Sequence, residues 1–431
     1  MRKPRQPRVL FYTREFPPFR GGAGNYCASL AAALRSRGGY VHVFAPEYPN
    51  LRSEGPSLDV GRVTRGAMSS TVRIAWRLLS MACRDRINYL IVGDYGALAD
   101  FIEIPRPRFL KYAIVTHGTE IMSLLHPTHS SMSARNCDRL GSFCRGSQFL
   151  IHSNNAVRRL IKEAGLAGCR RLLVYPAVDE RSLHQPNPDL PDRLRRKHGL
   201  GNESVILCVA RLDTDKGQDV LLGAFSQVLV SDPAAKLILV GDGPKREELQ
   251  TYAESLGIWQ SVVFAGEVPA SELRAYYEIA TLFVMASRSV DRFEGFGIVF
   301  VEAALCKKAS IAGDQGGVRE AVEGGVTGLL VDPTSSDAVT DAIVGLLENP
   351  ERLKEMEARA FQRARSEFNL EKMAERLFGE RGITDPPPMS WFHSALGWIC
   401  WGFQLVWFTL QRLPGAVYRR LASLIKEQRS R

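Results

Sequence analysis

Two cations, a carboxylate and two glycine turns stand where strand-like runs give way to loops, and a second carboxylate follows on the next helix-like run. Arg211 and Lys216 lie in Arg211-Leu212-Asp213-Thr214-Asp215-Lys216-Gly217, directly after the apolar run Ser204–Ala210. A planar guanidinium fork and an ammonium point charge at a strand's carboxyl end suit a diphosphate. Asp213 and Asp215 also form an Asp-x-Asp match to a metal-bound nucleotide, but two cations flank it and no metal is expected. Glu294 and Glu302 bracket Gly295-Phe296-Gly297-Ile298-Val299-Phe300-Val301. Carboxylates accept well from vicinal sugar hydroxyls. The N–H groups of Phe296, Gly297 and Ile298, at the expected start of a helix, could cap a phosphate. The apolar Ala303-Ala304-Leu305 after Glu302 argues against a merely solvated helix glutamate.

Gly21-Gly22-Ala23-Gly24 sits between a strand-like and a helix-like segment. Small residues let a backbone approach an anion, and a helix start offers free N–H groups. The segment is neither a complete GxGxxG nor a P-loop, so a tight packing turn is its bland alternative. Thr116-His117-Gly118 ends another strand-like run. A histidine there could hydrogen-bond a substrate or stabilise charge, though alone it is more often structural.

The elements that must carry these residues follow from periodicity. Arg8–Thr13, the helix Asn25–Arg37 and Tyr40–Ala45 make a βαβ unit and imply a parallel sheet. Further strands are expected at Tyr89–Val92, Tyr112–Thr116, Phe149–His152 and Arg171–Tyr175, with helices at 71–86 and 154–164. The four prolines of Pro176–Pro191 read as a linker. A second series alternates strands Ser204–Ala210, Lys236–Val240, Val262–Ala265, Leu282–Met285 and Ala309–Ala312 with helices Gln218–Val230, Lys245–Leu256, Ser271–Ile279 and Gly297–Leu305. Helices in 317–322, 335–348 and 351–378 close it. The expected fold is α/β, with two Rossmann-like doubly wound domains facing across a cleft, 1–180 and 181–365. A cross-over helix, 366–382, and a tail, 383–431, follow. Ligands of such sheets bind outside the carboxyl ends of the strands.

The chain has 431 residues, with 56 Lys+Arg against 46 Asp+Glu and a formal charge of +10. Residues 1–8 carry +4 and residues 411–431 carry +5, which leaves +1 for the body. A nearly neutral body speaks against nucleic-acid binding, and basic ends suit an anionic surface. Ser390–Leu410 holds no Asp, Glu, Lys or Arg and four of the six tryptophans. Tryptophans along its whole length, with basic residues after it, favour an interfacial or re-entrant anchor over a span or an oligomer contact. Arg62–Arg86, with six arginines among apolar residues, is a second membrane patch or a solvated amphipathic helix. Eight scattered cysteines without zinc spacing fit a reducing cytoplasm. Val9–Tyr12 is too short an apolar run for a signal peptide.

Taken together, FPPFRGGAGNY, THG at 116–118, ARLDTDKG at 210–217, LILVGDGP at 237–244, EGFGIVFVEA at 294–303 and GDQGGVREAVEGGVTGLLVDP at 313–333 resemble the retaining glycosyltransferases of family 4, with the GT-B fold. The resemblance covers about residues 8–380. It implies that Gly22 contacts the phosphates of a UDP- or GDP-linked sugar and that Arg211 and Lys216 hold the departing diphosphate. It assigns Glu294 to the donor sugar, Glu302 to the ribose, and the backbone near Gly266-Glu267-Val268 to the base pocket. His117 would sit by the sugar and help stabilise the transition state. Transfer would proceed with retention, without a metal or other cofactor. Lys307, Ala309 and Arg319 depart from the family pattern, and Arg319 bears on donor identity. With the tail, the expectation is an enzyme at the inner face of the cell membrane acting on a lipid-linked acceptor in envelope polysaccharide or glycolipid synthesis. The alternatives are a soluble-acceptor GT-B enzyme, of sucrose or glycogen type or an epimerase, and a non-catalytic binding protein.

Overall fold

Short runs of Val, Ile, Leu and Phe bury both faces of their strands, as parallel strands sandwiched between helix layers must. Tyr89–Val92 and Phe149–His152, for example, are buried at every position. The computed structural model describes residues 7–17, 21–48, 58–66, 70–105, 110–126, 133–183, 188–289, 294–379, 383 and 391–412.

The first domain is a seven-stranded parallel sheet. Its strands are β1 Arg8–Tyr12, β2 Tyr40–Pro46, β3 Arg62–Gly66, β4 Tyr89–Val92, β5 Lys111–Thr116, β6 Phe149–His152 and β7 Arg171–Leu173, in the order β3-β2-β1-β4-β5-β6-β7. Its helices are α1 Gly22–Ser36, α2 Thr71–Arg84, α3 Tyr95–Phe101, α4 Thr119–Leu125, α5 Ala134–Gly146 and α6 Asn155–Glu163. Two apolar cores lie on opposite faces of this sheet.

The second domain begins with α7 Leu190–Lys197 and has six parallel strands, ordered β10-β9-β8-β11-β12-β13. They are β8 Val205–Val209, β9 Lys236–Val240, β10 Val262–Gly266, β11 Leu282–Met285, β12 Ser310–Gly313 and β13 Gly328–Val331. Between and after them run α8 Gln218–Ser231, α9 Arg246–Ser255, α10 Ala270–Ile279, α11 Ile298–Leu305, α12 Val318–Ala321, α13 Ser336–Leu347 and α14 Pro350–Glu367. In both sheets the order reverses beside the first strand, the switch point at which α/β sheets open a ligand crevice.

After α14, the chain turns at Phe368, and α15 Leu370–Phe378 buries Met373, Ala374 and Leu377 in the core of the first domain against α1. The expected helical stretch 351–378 is thus two helices, because Asn369 caps the second through Lys372 N–H. The last helix, α16 Trp391–Gln411, packs on α2. No helix among the described residues is long and apolar enough to cross a membrane.

Several expectations are corrected. Arg62–Arg86 is not one amphipathic element: Arg62 and Arg65 belong to edge strand β3, and only the portion from Thr71 is helical. β13 and the helices α3, α4, α5 and α7 were not expected from periodicity. The linker stretch carries a 3-10 turn at Glu180–Leu183 and the start of α7, while its residues 184–187 lie outside the described ones. Prolines 386–388 and the basic residues beyond 412 also lie outside.

Candidate active site

The cation loop is shaped by two constraints. Asp213 caps its 3-10 turn, Thr214–Lys216, by accepting from Thr214 N–H at 2.9 Å. Gly217 then adopts φ 68°, and a Cβ there would collide with the Ala286 carbonyl at the end of β11. The turn directs Lys216 towards Glu294: Nζ lies 2.6 Å from Oε2, with the lysine side chain 29% and the glutamate side chain 10% exposed. Arg211, more than half exposed, has Asp213 at 3.5 Å and stands at the loop's open side.

This loop is tied to the ends of the two strands beyond it. Leu212 N–H donates to Asp242 O, Lys245 N–H to Leu212 O, and Gly241 N–H to Gly266 O. A Cβ on Gly241 or Gly243 would strike the backbone of Ala210 or Leu212. Gly266 itself turns with φ 71°. Arg211 therefore sits at the end of β8 and Gly266 and Val268 at the end of β10, with the glycine loop of the intervening β9 between them.

Glu294 opens the second motif. Gly297, with φ 77°, is the residue before α11, where a Cβ would meet the Phe300 ring. The Phe296 ring is buried against Tyr175 and Phe368, so only its backbone could face a ligand, as could the first N–H groups of α11 near Ile298. Glu302, one turn deeper on α11, accepts from the buried Tyr277 hydroxyl at 3.0 Å. Burial pushes its carboxyl above the usual range, and the Tyr277 hydrogen bond opposes that shift. Arg319 is tied to Asp314 through two hydrogen bonds of 2.6 Å, which neutralises the charge that departs from the family pattern.

On the first domain, α1 starts at Gly22, earlier than expected, so the exposed Gly22 lies in its first turn. The Tyr26 ring, one turn on, meets the His117 ring edge-on at 5.7 Å. His117 follows β5. Its Nε2 lies 3.0 Å from the Gly93 carbonyl, and a carbonyl only accepts, so Nε2 carries the proton and Nδ1 is the acceptor of the neutral ring. Its backbone N–H is held by the buried Glu120 carboxyl, whose pKa burial raises.

The two halves meet at Gly295. A Cβ on Gly295 would lie 3.7 Å from the His117 carbonyl. The Asn154 side-chain amide, at the head of α6, donates to Gly295 O, and Asn155 N–H donates to Glu320 Oε1 at 2.7 Å. Gly317 lies so close to Gly295 O and Asn154 that no side chain fits there. His117, Glu294 and Lys216 are thus linked through adjoining contacts, with Gly22 one turn before Tyr26 on α1 and Arg211, Gly266 and Val268 at the ends of β8 and β10. Glu302 lies one turn into α11, bonded to Tyr277. Asn154 caps α6 by accepting from Val157 N–H. Nothing in the sequence marks its reach across the cleft, nor Tyr277 as the partner of Glu302.

Two doubly wound parallel domains, switch points in both sheets, and cations opposed to a carboxylate at the cleft define a GT-B glycosyltransferase. The family descriptions agree: "Glycosyltransferase Family 4" matches residues 20–182 and "Glycosyl transferases group 1" matches 192–363. The chain belongs to glycosyltransferase family 4. It is 31% identical to a GDP-mannose-dependent alpha-(1-6)-phosphatidylinositol monomannoside mannosyltransferase of Mycolicibacterium smegmatis, over 81% of this chain and 91% of that protein. Among solved structures, sucrose-phosphate synthase from Thermosynechococcus elongatus aligns with a TM-score of 0.70 at 19% identity, covering 85% of this chain and 96% of that one. Anabaena HepE in complex with UDP-glucose aligns at 0.68 and 22%, covering 86% and 97%.

Proposed function

We propose that this glycosyltransferase moves a hexose, with retention and without a metal, from a guanosine diphosphate sugar to an inositol-phosphate-bearing lipid at the inner membrane face. The observation that carries the transfer chemistry is the Lys216–Glu294 contact beside the exposed Arg211. Breaking the sugar–phosphate bond leaves negative charge on the diphosphate and positive charge on the sugar. Preorganised cations stabilise the first where it develops. An ammonium has three donors, so Lys216 keeps Glu294 in place while offering a proton to a phosphoryl oxygen. Arg211 supplies its fork to the same diphosphate, and Gly22 and the start of α11 add backbone N–H groups. Glu294 accepts from hydroxyls of the donor sugar. His117 lies on the opposite wall, and Glu302 takes the ribose. The base rests on the backbone at Gly266 and Val268. No covalent nucleophile is assigned.

The choice of GDP-mannose and an inositol lipid rests on the mycolicibacterial relative, which is similar over most of both chains. The likeness to sucrose-phosphate synthase carries the fold alone and gives the soluble-acceptor reading no specific support. Peripheral attachment rests on the tryptophan-rich tail, and α16 is read as lying on the membrane rather than crossing it.

A thermal-shift series with GDP, UDP and ADP tests the donor, since a ligand selective for the folded state raises its melting temperature. GDP is expected to shift the melt most. The NMR anomeric coupling of the product tests retention, and unchanged turnover in EDTA tests metal independence.

A further inference from the structure

Helix α16 is not a free tail. Trp401 is 2% exposed and Leu405 fully buried, both in the same apolar core as Ile74 and Leu78 of α2. The Trp401 indole N–H donates to Pro105 O at 2.7 Å, and Trp76 of α2 donates to Thr409 at 3.1 Å. Arg412 closes the far end on Glu103 at 2.7 Å. These contacts fix α16 on the first domain.

The other side of α16 is unusual for a water-facing surface. Phe403 is 72% exposed, Trp407 58% and Val406 44%, and the neighbouring Trp76 is 38% exposed. At 100° per residue these positions of α16 fall opposite Trp401 and Leu405. Contiguous exposed aromatic surface marks an interaction site. Beside it, Arg73, Arg77 and Arg84 are exposed on α2, and their spacing of four and seven residues sets them on one stripe. The aromatic ridge and arginine stripe thus come from two chain segments over 300 residues apart.

We infer that α2 and α16 together form one membrane-insertion face, with the aromatic side chains of α16 and Trp76 entering the headgroup boundary of an anionic bilayer and the α2 arginines meeting its lipid phosphates. The inference rests on the membrane attachment proposed above and specifies its geometry. Aromatic rings suit the interface, and each arginine near an anionic surface adds to binding. A second copy of the chain would be a poorer occupant, since a two-fold contact would set arginine stripe against arginine stripe. The docked helix would hold the whole first domain, including His117 and Gly22, at a fixed attitude to the membrane.

Co-sedimentation of the full chain with vesicles of phosphatidylcholine, or of phosphatidylcholine and phosphatidylglycerol in equal parts, tests this. The wild type is expected to bind the anionic vesicles roughly tenfold better, an advantage that high salt removes. Trp407→Asp and Phe403→Asp on α16, and separately Arg73→Glu and Arg77→Glu on α2, are each expected to lower binding at least about threefold. Melting temperature and donor hydrolysis, measured without vesicles, should stay unchanged. Loss with the α16 variants but full binding by the α2 variants would overturn the joint face and leave a tail anchor standing. No binding by the wild type to either vesicle would overturn attachment itself. A dimer in light scattering that only the α16 variants dissolve, with no vesicle binding, would assign the face to self-association and equally overturn the inference.

Discussion

Lys216 Nζ lies 2.6 Å from Glu294 Oε2, joining the loop after β8 to the loop before α11. If the ammonium also meets the departing diphosphate, Lys216→Ala removes charge stabilisation and frees Glu294 at once. A fall in kcat of about 10²–10³ is expected. Glu294→Gln should raise the donor KM and lower kcat less. Because the pair acts as a unit, the double variant should cost little more than Lys216→Ala alone. Steady-state kinetics on the four proteins measures this, and additive losses would mean that the contact is incidental.

Burial raises the Glu302 pKa and Tyr277 holds it down. Only the ionised carboxylate accepts two ribose hydroxyls without offering a proton. Donor affinity should therefore weaken as pH falls through the raised pKa. Tyr277→Phe removes the opposing hydrogen bond, so its acid limb should move to higher pH. Donor KM measured against pH in both proteins checks the direction. An unmoved limb would take Glu302 out of the donor site.

His152 is buried, and its pKa is lowered to about 4 by desolvation, while Nδ1 lies 2.9 Å from the Asn154 carbonyl. Its unfolded pKa is near the ordinary 6.5. Below that value the unfolded chain takes the proton and the folded one resists it. Stability should fall by about 3 kcal/mol as pH drops from the unfolded to the folded value, and no further from this group below that. Denaturant unfolding of wild type and His152→Leu, compared across that window, isolates the contribution. Parallel curves would contradict it.

Asn154 and Gly317 meet across the cleft through Gly295. Gly317→Ala would wedge this junction. Asn154→Ala would release it and leave the Gly295 carbonyl without its donor. Gly317→Ala should keep the melting transition, while Asn154→Ala, which also removes the α6 cap, should lose about 1 kcal/mol of stability; both should lose at least tenfold in kcat, since misplacement of about an ångström carries losses of up to about 10²-fold. Small-angle scattering should show a larger radius of gyration for Gly317→Ala. Full activity in both would mean that alignment of the two domains for transfer does not depend on this contact.

Much of the architecture was legible because most strands are short apolar runs, and such runs alternate with helical periodicity. β3 escaped because Arg62-Val63-Thr64-Arg65-Gly66 sits at an edge, where charge is tolerated and the apolar run disappears. The helix α5 escaped because Ala134–Gly146 carries Arg, Asn and Asp among its few apolar residues. Within the site, Arg211, Lys216 and Glu294 announced themselves by charge at strand ends. Tyr277 and Asn154 did not, since a buried tyrosine and a helix cap look structural in sequence. Their part arises only when α10 is laid against α11 and α6 against the Gly295 loop. The tail was legible as apolar and rich in tryptophan. That Trp401 is spent on Pro105, leaving Phe403 and Trp407 outside, depends on the docking of α16 on α2.

The proposed transfer of a hexose from a guanosine diphosphate sugar to an inositol lipid can be observed directly. The purified full chain should be incubated with GDP-mannose and anionic vesicles containing a phosphatidylinositol monomannoside, and the lipid analysed by mass spectrometry. A lipid heavier by one hexose is predicted with the wild type and at least about 10²-fold less of it with Lys216→Ala. Unchanged lipid alongside a wild type that melts higher with GDP would rule out this acceptor, and equal product from Lys216→Ala would remove Lys216 from the chemistry.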